Sequence, residues 1–187
     1  DQPRSRGLGD VYKRQIVMNK EYEEFIESEQ FKKIKNNTTD IIQSGRCQCG
    51  CISYTFKTEK LISAHNCHCT DCQRSTGSGK ATILYVAKKN ITMNGILKFY
   101  EVKGTSGSHV RRGFCETCGS GVLSYMKEMP HIQFIKAGTL NDSSWLNIDS
   151  NFFTDSAHEW NSPDKSIKSF KGNPSMISNI KTLFKSF

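Results

Sequence analysis

The sequence predicts a mainly β domain of short antiparallel strands, reinforced by metal and flanked by short helices. Three observations carry this expectation. From Ile41 onward, short β-rich runs alternate with turn residues. Helical spacing of apolar residues occurs only on either side of that region. All eight cysteines fall into three tight clusters, Cys47-Gln48-Cys49-Gly50-Cys51, Cys67-His68-Cys69-Thr70-Asp71-Cys72 and Cys115-Glu116-Thr117-Cys118.

Taken in order, residues 1–17 read as a translated sequencing adaptor joined ahead of Met18 and are set aside from fold reasoning. In residues 18–40, Tyr22, Phe25, Ile26 and Phe31 interleave with Glu21, Glu23, Glu24 and Glu27, which predicts an amphipathic helix ended by Asn36-Asn37-Thr38-Thr39. The domain proper spans 41–172. Its strand candidates are 52–56, 81–87, 91–93, 96–102, 122–125 and 132–137. Asn94-Gly95 predicts a hairpin between two of them, because both residues tolerate positive φ. Gly104 to Ser108 reads as a loop leading into Val110-Arg111-Arg112-Gly113-Phe114. In 173–187, Met176, Ile177, Ile180, Leu183 and Phe184 have helical spacing with lysines opposite, the pattern of a docking helix.

At 187 residues and 36% hydrophobic, the chain is long enough for one core. Its net charge of +8 could suggest nucleic acid, yet the basic residues are scattered rather than gathered into one run. Such a surface suits an anionic small molecule as well as a nucleic acid, and the small molecule is the expected partner. The first residues lack the apolar run of a signal peptide, and no stretch of about 18 apolar residues offers a membrane span. The expected location is the cytoplasm, with the nucleus as an alternative. In such a compartment, cysteines one or two residues apart read as metal ligands rather than disulfide partners.

Thiolates at this spacing favour zinc, which prefers sulfur and nitrogen donors in a tetrahedron. The first and last pairs are each too small to saturate an ion. Together, Cys47, Cys49, Cys115 and Cys118 make a closed four-thiolate site pinning distant parts of the chain. Cys67, Cys69 and Cys72 supply only three sulfurs, the count of a site that keeps a position open. Two zinc ions are therefore expected, one structural and one catalytic. Cys51 is the spare: strand alternation would place it beside Cys47 and Cys49 as a competing ligand, or it could complete the middle cluster. The plainer expectation is a small buried thiol at the start of a strand. His68, between two ligands, is expected to pack or support rather than ligate. Gly77-Ser78-Gly79-Lys80 is not a phosphate loop, since Arg74 and Ala81 stand where that motif needs glycine and Ser or Thr.

The order C-x-C-G, then C-H-C-x-x-C followed by S-T-G-S, then R-x-F-C-x-x-C-G resembles the glutathione-dependent formaldehyde-activating family, which includes centromere-protein-V-like proteins. Gly45 to Gly50, Cys67 to Ser78 and Arg112 to Gly119 carry the match, with Gly138 to Asp142 and Trp160 as weaker landmarks. The resemblance implies a β-tent zinc fold, structural zinc at Cys47, Cys49, Cys115 and Cys118, and catalytic zinc at Cys67, Cys69 and Cys72. It also implies the addition of glutathione to formaldehyde, giving S-hydroxymethylglutathione, a carbon–sulfur lyase or synthase activity.

The residues support the same chemistry independently. Zinc held by three soft thiolates accepts a fourth sulfur, which activates a thiol such as that of glutathione, and a small aldehyde held beside it is spared a bimolecular encounter. Three anionic sulfurs weaken zinc as a Lewis acid, so thiol activation is expected over aldehyde polarisation. Arg74, Arg111 and Arg112 are the candidates to meet glutathione carboxylates. The rival expectation is a non-catalytic zinc module that binds a protein or nucleic acid.

Overall fold

The computed structural model describes residues 41–104 and 107–174. The two amphipathic runs expected at 22–31 and 176–184, and the adaptor reading of 1–17, lie outside them. Among the described residues the fold is mainly β. Its strands are β1 (Ile42–Arg46), β2 (Ser53–Lys57), β3 (Leu61–Cys67), β4 (Ala81–Ala87), β5 (Thr92–Asn94), β6 (Lys98–Lys103), β7 (His109–Phe114), β8 (Gly121–Met126), β9 (Met129–Lys136), β10 (Ser150–Phe152) and β11 (Lys168–Ser169). One short helix, α1 (Thr70–Thr76), interrupts them.

Two sheets form. The smaller has the order β1-β2-β5, and the larger runs β11-β10-β3-β4-β9-β8-β7-β6. Pairing is antiparallel except at one end of the large sheet, where β10 lies parallel to both β3 and β11. The expected mainly β fold of short, largely antiparallel strands is thus found as two sheets, one of three strands and one of eight with a parallel margin.

The alternation of the strands explains the layering. Leu84 and Val86 of β4, Leu123 of β8 and Ile135 of β9 face the small sheet and close on Ile52, Tyr54 and Phe56. Ile83, Ile132 and Phe134 point to the opposite face, where they pack with Phe152, Cys67 and Cys69. The middle of the large sheet is therefore covered on both sides, which accounts for the nearly continuous apolar run Ala81-Thr82-Ile83-Leu84-Tyr85-Val86-Ala87.

β3 did not read as a strand, because Ser63, His65 and Asn66 make it look polar. All three are buried, and each finds a partner. The His65 ring nitrogens lie 2.9 Å from Ser63 Oγ and 2.9 Å from Ser150 Oγ. Asn66 accepts from Thr82 Oγ1 at 2.8 Å and donates to Asn151 Oδ1 at 3.2 Å. Burial pushes the His65 imidazole down to about 4, so it sits neutral against the stacked Phe152 ring. A strand of polar residues can be central when those residues satisfy one another.

The hairpin expected at Asn94-Gly95 is corrected. Gly95 does turn with φ +89°, but β5 pairs with β2 in the small sheet while β6 pairs with β7 in the large one. The turn passes the chain between layers. A Cβ at Gly95 would meet the Cys51 carbonyl, so only glycine fits there.

The small sheet is also tied to residues 139–141. Asn141 N donates to Ser44 O at 2.9 Å, and Tyr54 Oη lies 2.8 Å from Thr139 Oγ1. Gly45 bridges Leu140 in this seam, where an added Cβ would meet the Tyr54 ring and the Thr139 carbonyl. Gly45→Ala is expected to destabilise the domain by about 1–3 kcal/mol through that overlap, visible as a Tm lowered by roughly 3–10 °C. An unchanged Tm would show that the seam yields.

Candidate functional site

Two knuckles of the same design build the first cysteine cluster. After β1, Gly50 N donates to Cys47 O at 3.1 Å, and Gly50 takes φ +84°. After β7, Gly119 N donates to Cys115 O at 2.8 Å, and Gly119 takes φ +74°. Each glycine closes a turn that brings its two thiols onto one side. Residues 47–51 thus leave the strand, and the alternation expected for Cys47, Cys49 and Cys51 does not occur. Cys51 is exposed, which corrects the expectation of a buried thiol, and its sulfur joins neither cluster.

The knuckles meet. Cys47, Cys49, Cys115 and Cys118 bring all four sulfurs within 4.8 Å of one another, with Cys47 to Cys49 at 3.5 Å and Cys49 to Cys115 at 3.7 Å. A tetrahedral zinc with bonds of about 2.3 Å sets its sulfurs about 3.8 Å apart, so the donor set fits the ion. Polar neighbours stabilise charge on these sulfurs. Ile52 N donates to Cys47 Sγ at 3.3 Å, and Ser120 Oγ lies 3.2 Å from Cys118 Sγ. The Ser120 hydroxyl pulls the Cys118 thiol down to about 5.

The second cluster lies on the other face of the large sheet. Cys67 ends β3, Cys69 caps α1 and Cys72 lies in its first turn, with the three sulfurs within 4.8 Å of one another. Cys72 N donates to Cys69 Sγ at 3.4 Å. Interaction with Cys67 and then Cys72 lowers the Cys69 thiol, while the neighbouring Cys69 and Cys72 sulfurs, aided by burial, drive Cys67 far upward. One sulfur holds charge at its neighbours' cost, so three thiolates together need a cation among them. No fourth Cys, His, Asp or Glu joins this group among the described residues.

His68 is fully buried, and neither ring nitrogen has a hydrogen-bond partner among the described residues. It packs between the ligands without joining their sulfurs. Gln73 pins α1 in place, donating to His68 O and Ser156 O, both at 2.8 Å, and meeting His158 Nε2 at 3.1 Å. The His158 ring stacks on Trp160, which lies over Gly79 where a Cβ would collide with it.

The three arginines separate. Arg112 lies on the thiolate side: its charge acts on Cys69 and Cys72, and Nη1 donates to Ser75 Oγ at 3.1 Å. Arg111, its neighbour along β7, faces the other way, with its guanidinium 5.0 Å from the Phe99 ring centre and Nη1 3.2 Å from Tyr125 Oη. Arg111, expected to meet a substrate at the thiolates, instead lies with Phe99, Tyr125 and Glu101 on the other face. Arg74 is exposed in the last turn of α1.

Sequence reasoning missed two residues beside the three cysteines. Tyr85 of β4 has its hydroxyl pushed well above the usual range by burial and by the charges of Cys67 and Cys72. Lys136 of β9 is buried, and desolvation pulls its ammonium downward while Cys72 opposes the shift. The available signal was a lysine inside the apolar run Ile132 to Ala137.

A mainly β protein with one four-thiol and one three-thiol cluster able to hold a metal is the class defined by this fold and site. The chain belongs to the family described as glutathione-dependent formaldehyde-activating enzyme, which matches residues 42–156. A crystal structure of a Rhodobacter sphaeroides protein, a structural-genomics target, is similar over 56% of this chain and 90% of that one, at 21% identity and a TM-score of 0.41. No curated protein matches the chain.

The two clusters should respond differently to loss of one sulfur. Cys115→Ser is expected to unfold much of the domain, because metal binding at a closed site is folding free energy. Cys69→Ser is expected to keep the fold and lose one metal equivalent. Metal analysis alongside circular dichroism checks both, and equal loss of stability would refute the division.

Proposed function

We propose that this protein adds glutathione, or a similar small thiol, to formaldehyde or another small aldehyde, a carbon–sulfur lyase activity of the S-hydroxymethylglutathione synthase type. The observation that carries the reading is the unequal pair of clusters, one complete with four thiols and one left with three. Membership of the family supports it.

Zinc is the metal that suits both donor sets. Cys67, Cys69 and Cys72 would hold it at the second cluster, and its charge would favour the deprotonated form of a bound thiol. The chain's own residues do the rest. α1 and β3 fix the three sulfurs so that the site needs no rearrangement when substrate arrives. Phe134, Phe152 and Ile83 pack around Cys67 and Cys69, keeping water from the apolar side of the cluster. Arg112 offers positive charge to an anionic thiol, and Arg74 extends the cationic side outward along α1. The reaction redistributes one proton: the thiol loses it, sulfur bonds to the carbonyl carbon, and the former carbonyl oxygen receives it. Cys47, Cys49, Cys115 and Cys118 act at a distance, by holding β7 and so Arg112 in register. Among the described residues no helix is long and apolar enough to cross a membrane. A thiol-dependent site of this kind works in a reducing compartment, which supports the cytoplasm.

Cobalt substitution tests the thiol step, because charge-transfer absorbance grows with each sulfur bound. Glutathione is expected to raise it in the intact protein and in Cys51→Ala but not in Cys69→Ser. With carbon-13 formaldehyde, NMR exchange between free aldehyde and its glutathione adduct should speed up with enzyme and slow by roughly 100-fold or more in Cys69→Ser. An unchanged cobalt spectrum and unaccelerated exchange at saturating glutathione would sink the proposal. Steep salt-dependent binding to nucleic acid would then favour a non-catalytic module.

A further inference from the structure

Two cations that bind no metal converge on one hydroxyl beside the three sulfurs. Lys136 Nζ donates to Ser75 Oγ at 3.2 Å, and Arg112 Nη1 donates to the same oxygen at 3.1 Å. Ser75 uses its two lone pairs for them and donates its own proton to the Cys72 carbonyl at 3.1 Å. The hydroxyl therefore has no proton or lone pair left, and the cations retain further N–H donors. Lys136 is only 9% exposed, a position that a lysine rarely occupies without a partner.

The carboxylates of Glu59, Glu101, Glu116 and Glu128 are paired elsewhere, with Lys60, Lys98, Lys127, His109 and Arg111. Three thiolates around a divalent metal leave one net negative charge, against two positive charges on Lys136 and Arg112. The site is one anion short of neutral. An arriving thiolate would cancel that charge, so what is left for a second anionic group on the same molecule is the spare N–H donors of both side chains, in the geometry fixed by Ser75.

We propose that Lys136, Arg112 and Ser75 form an anion seat that takes a carboxylate of the incoming thiol, making the site selective for carboxylate-bearing thiols over neutral ones. Ser75 spaces the two cations, which come from β7 and β9, and ties them to α1, the helix that also carries Cys72. This rests on the reading that the three-cysteine cluster binds a thiol, and deepens it by naming what selects that thiol.

The test compares two thiols of equal chain length, 3-mercaptopropionate and 2-mercaptoethanol, by titration of the cobalt-loaded protein. The intact protein is expected to prefer the carboxylate-bearing thiol. Lys136→Met should weaken 3-mercaptopropionate by about tenfold while changing 2-mercaptoethanol less than about twofold, and without thiol it should leave Tm unchanged or raised. Arg112→Gln, at a half-buried position, should show the same selective loss and carries the test if Lys136→Met does not fold. Equal weakening of both thiols, or no weakening of either, overturns the seat. S-methylglutathione, which has both carboxylates and no free thiol, separates the two readings. If it competes with 3-mercaptopropionate in the intact protein but not in Lys136→Met, the seat stands even where formaldehyde exchange is not accelerated. If exchange is accelerated equally in the intact protein and both variants, the reaction stands and the seat falls.

Discussion

The fold depends on closure of one four-sulfur cluster from two knuckles that belong to different sheets. Cys47 and Cys49 follow β1 of the small sheet, and Cys115 and Cys118 follow β7 of the large one. The four sulfurs, placed to hold one ion, meet at one end of the layers, while Tyr54, Phe56 and Ile52 fill the space behind them against Leu84, Leu123 and Ile135. The separation in sequence is what gives the cross-link leverage, since closing a long loop removes more freedom from the unfolded chain than closing a short one. A small sheet of three short strands would otherwise be marginal as a layer.

The second cluster follows opposite logic. Its three ligands come from one continuous stretch, Cys67 to Cys72, so they cross-link nothing distant. Their position at the end of β3 and the start of α1 instead presents a compact group of sulfurs on the face away from the small sheet. The two cysteine sets thus lie on opposite faces of one sheet, one drawn from distant segments and the other from a single stretch.

That face also collects unusual polar groups. Buried Lys136, Tyr85 and the neutral pair of residues His65 and His68 all surround the three thiols, and their ionisation is shifted by burial or by sulfur charge. Clusters of displaced ionisation in one place mark functional sites more often than structural ones. Here the causes are concrete: burial lowers both imidazoles, while burial and the sulfur charges act together on Tyr85 and against each other on Lys136.

Much of this was legible before any coordinates. The division of seven cysteines into four and three follows from ligand counting, and the runs at 81–87 and 132–137 follow from apolar content, because burial on both faces writes itself into composition. What sequence could not determine was pairing across distance. The polar β3 is central because Ser150, Asn151 and Thr82 satisfy it, and none of these is near it in the chain. Asn94-Gly95 has the chemistry of a hairpin, yet its strands go to different layers because hydrophobic contacts, not the turn, choose the partner. Arg111 and Arg112 are identical in type and adjacent in sequence, and only the register of β7 decides which one faces the thiols. The sequence by itself determined which atoms could bind metal, since ligand chemistry is local. The tertiary structure alone decided which charges surround that metal, since side-chain direction and sheet order are properties of the assembled chain.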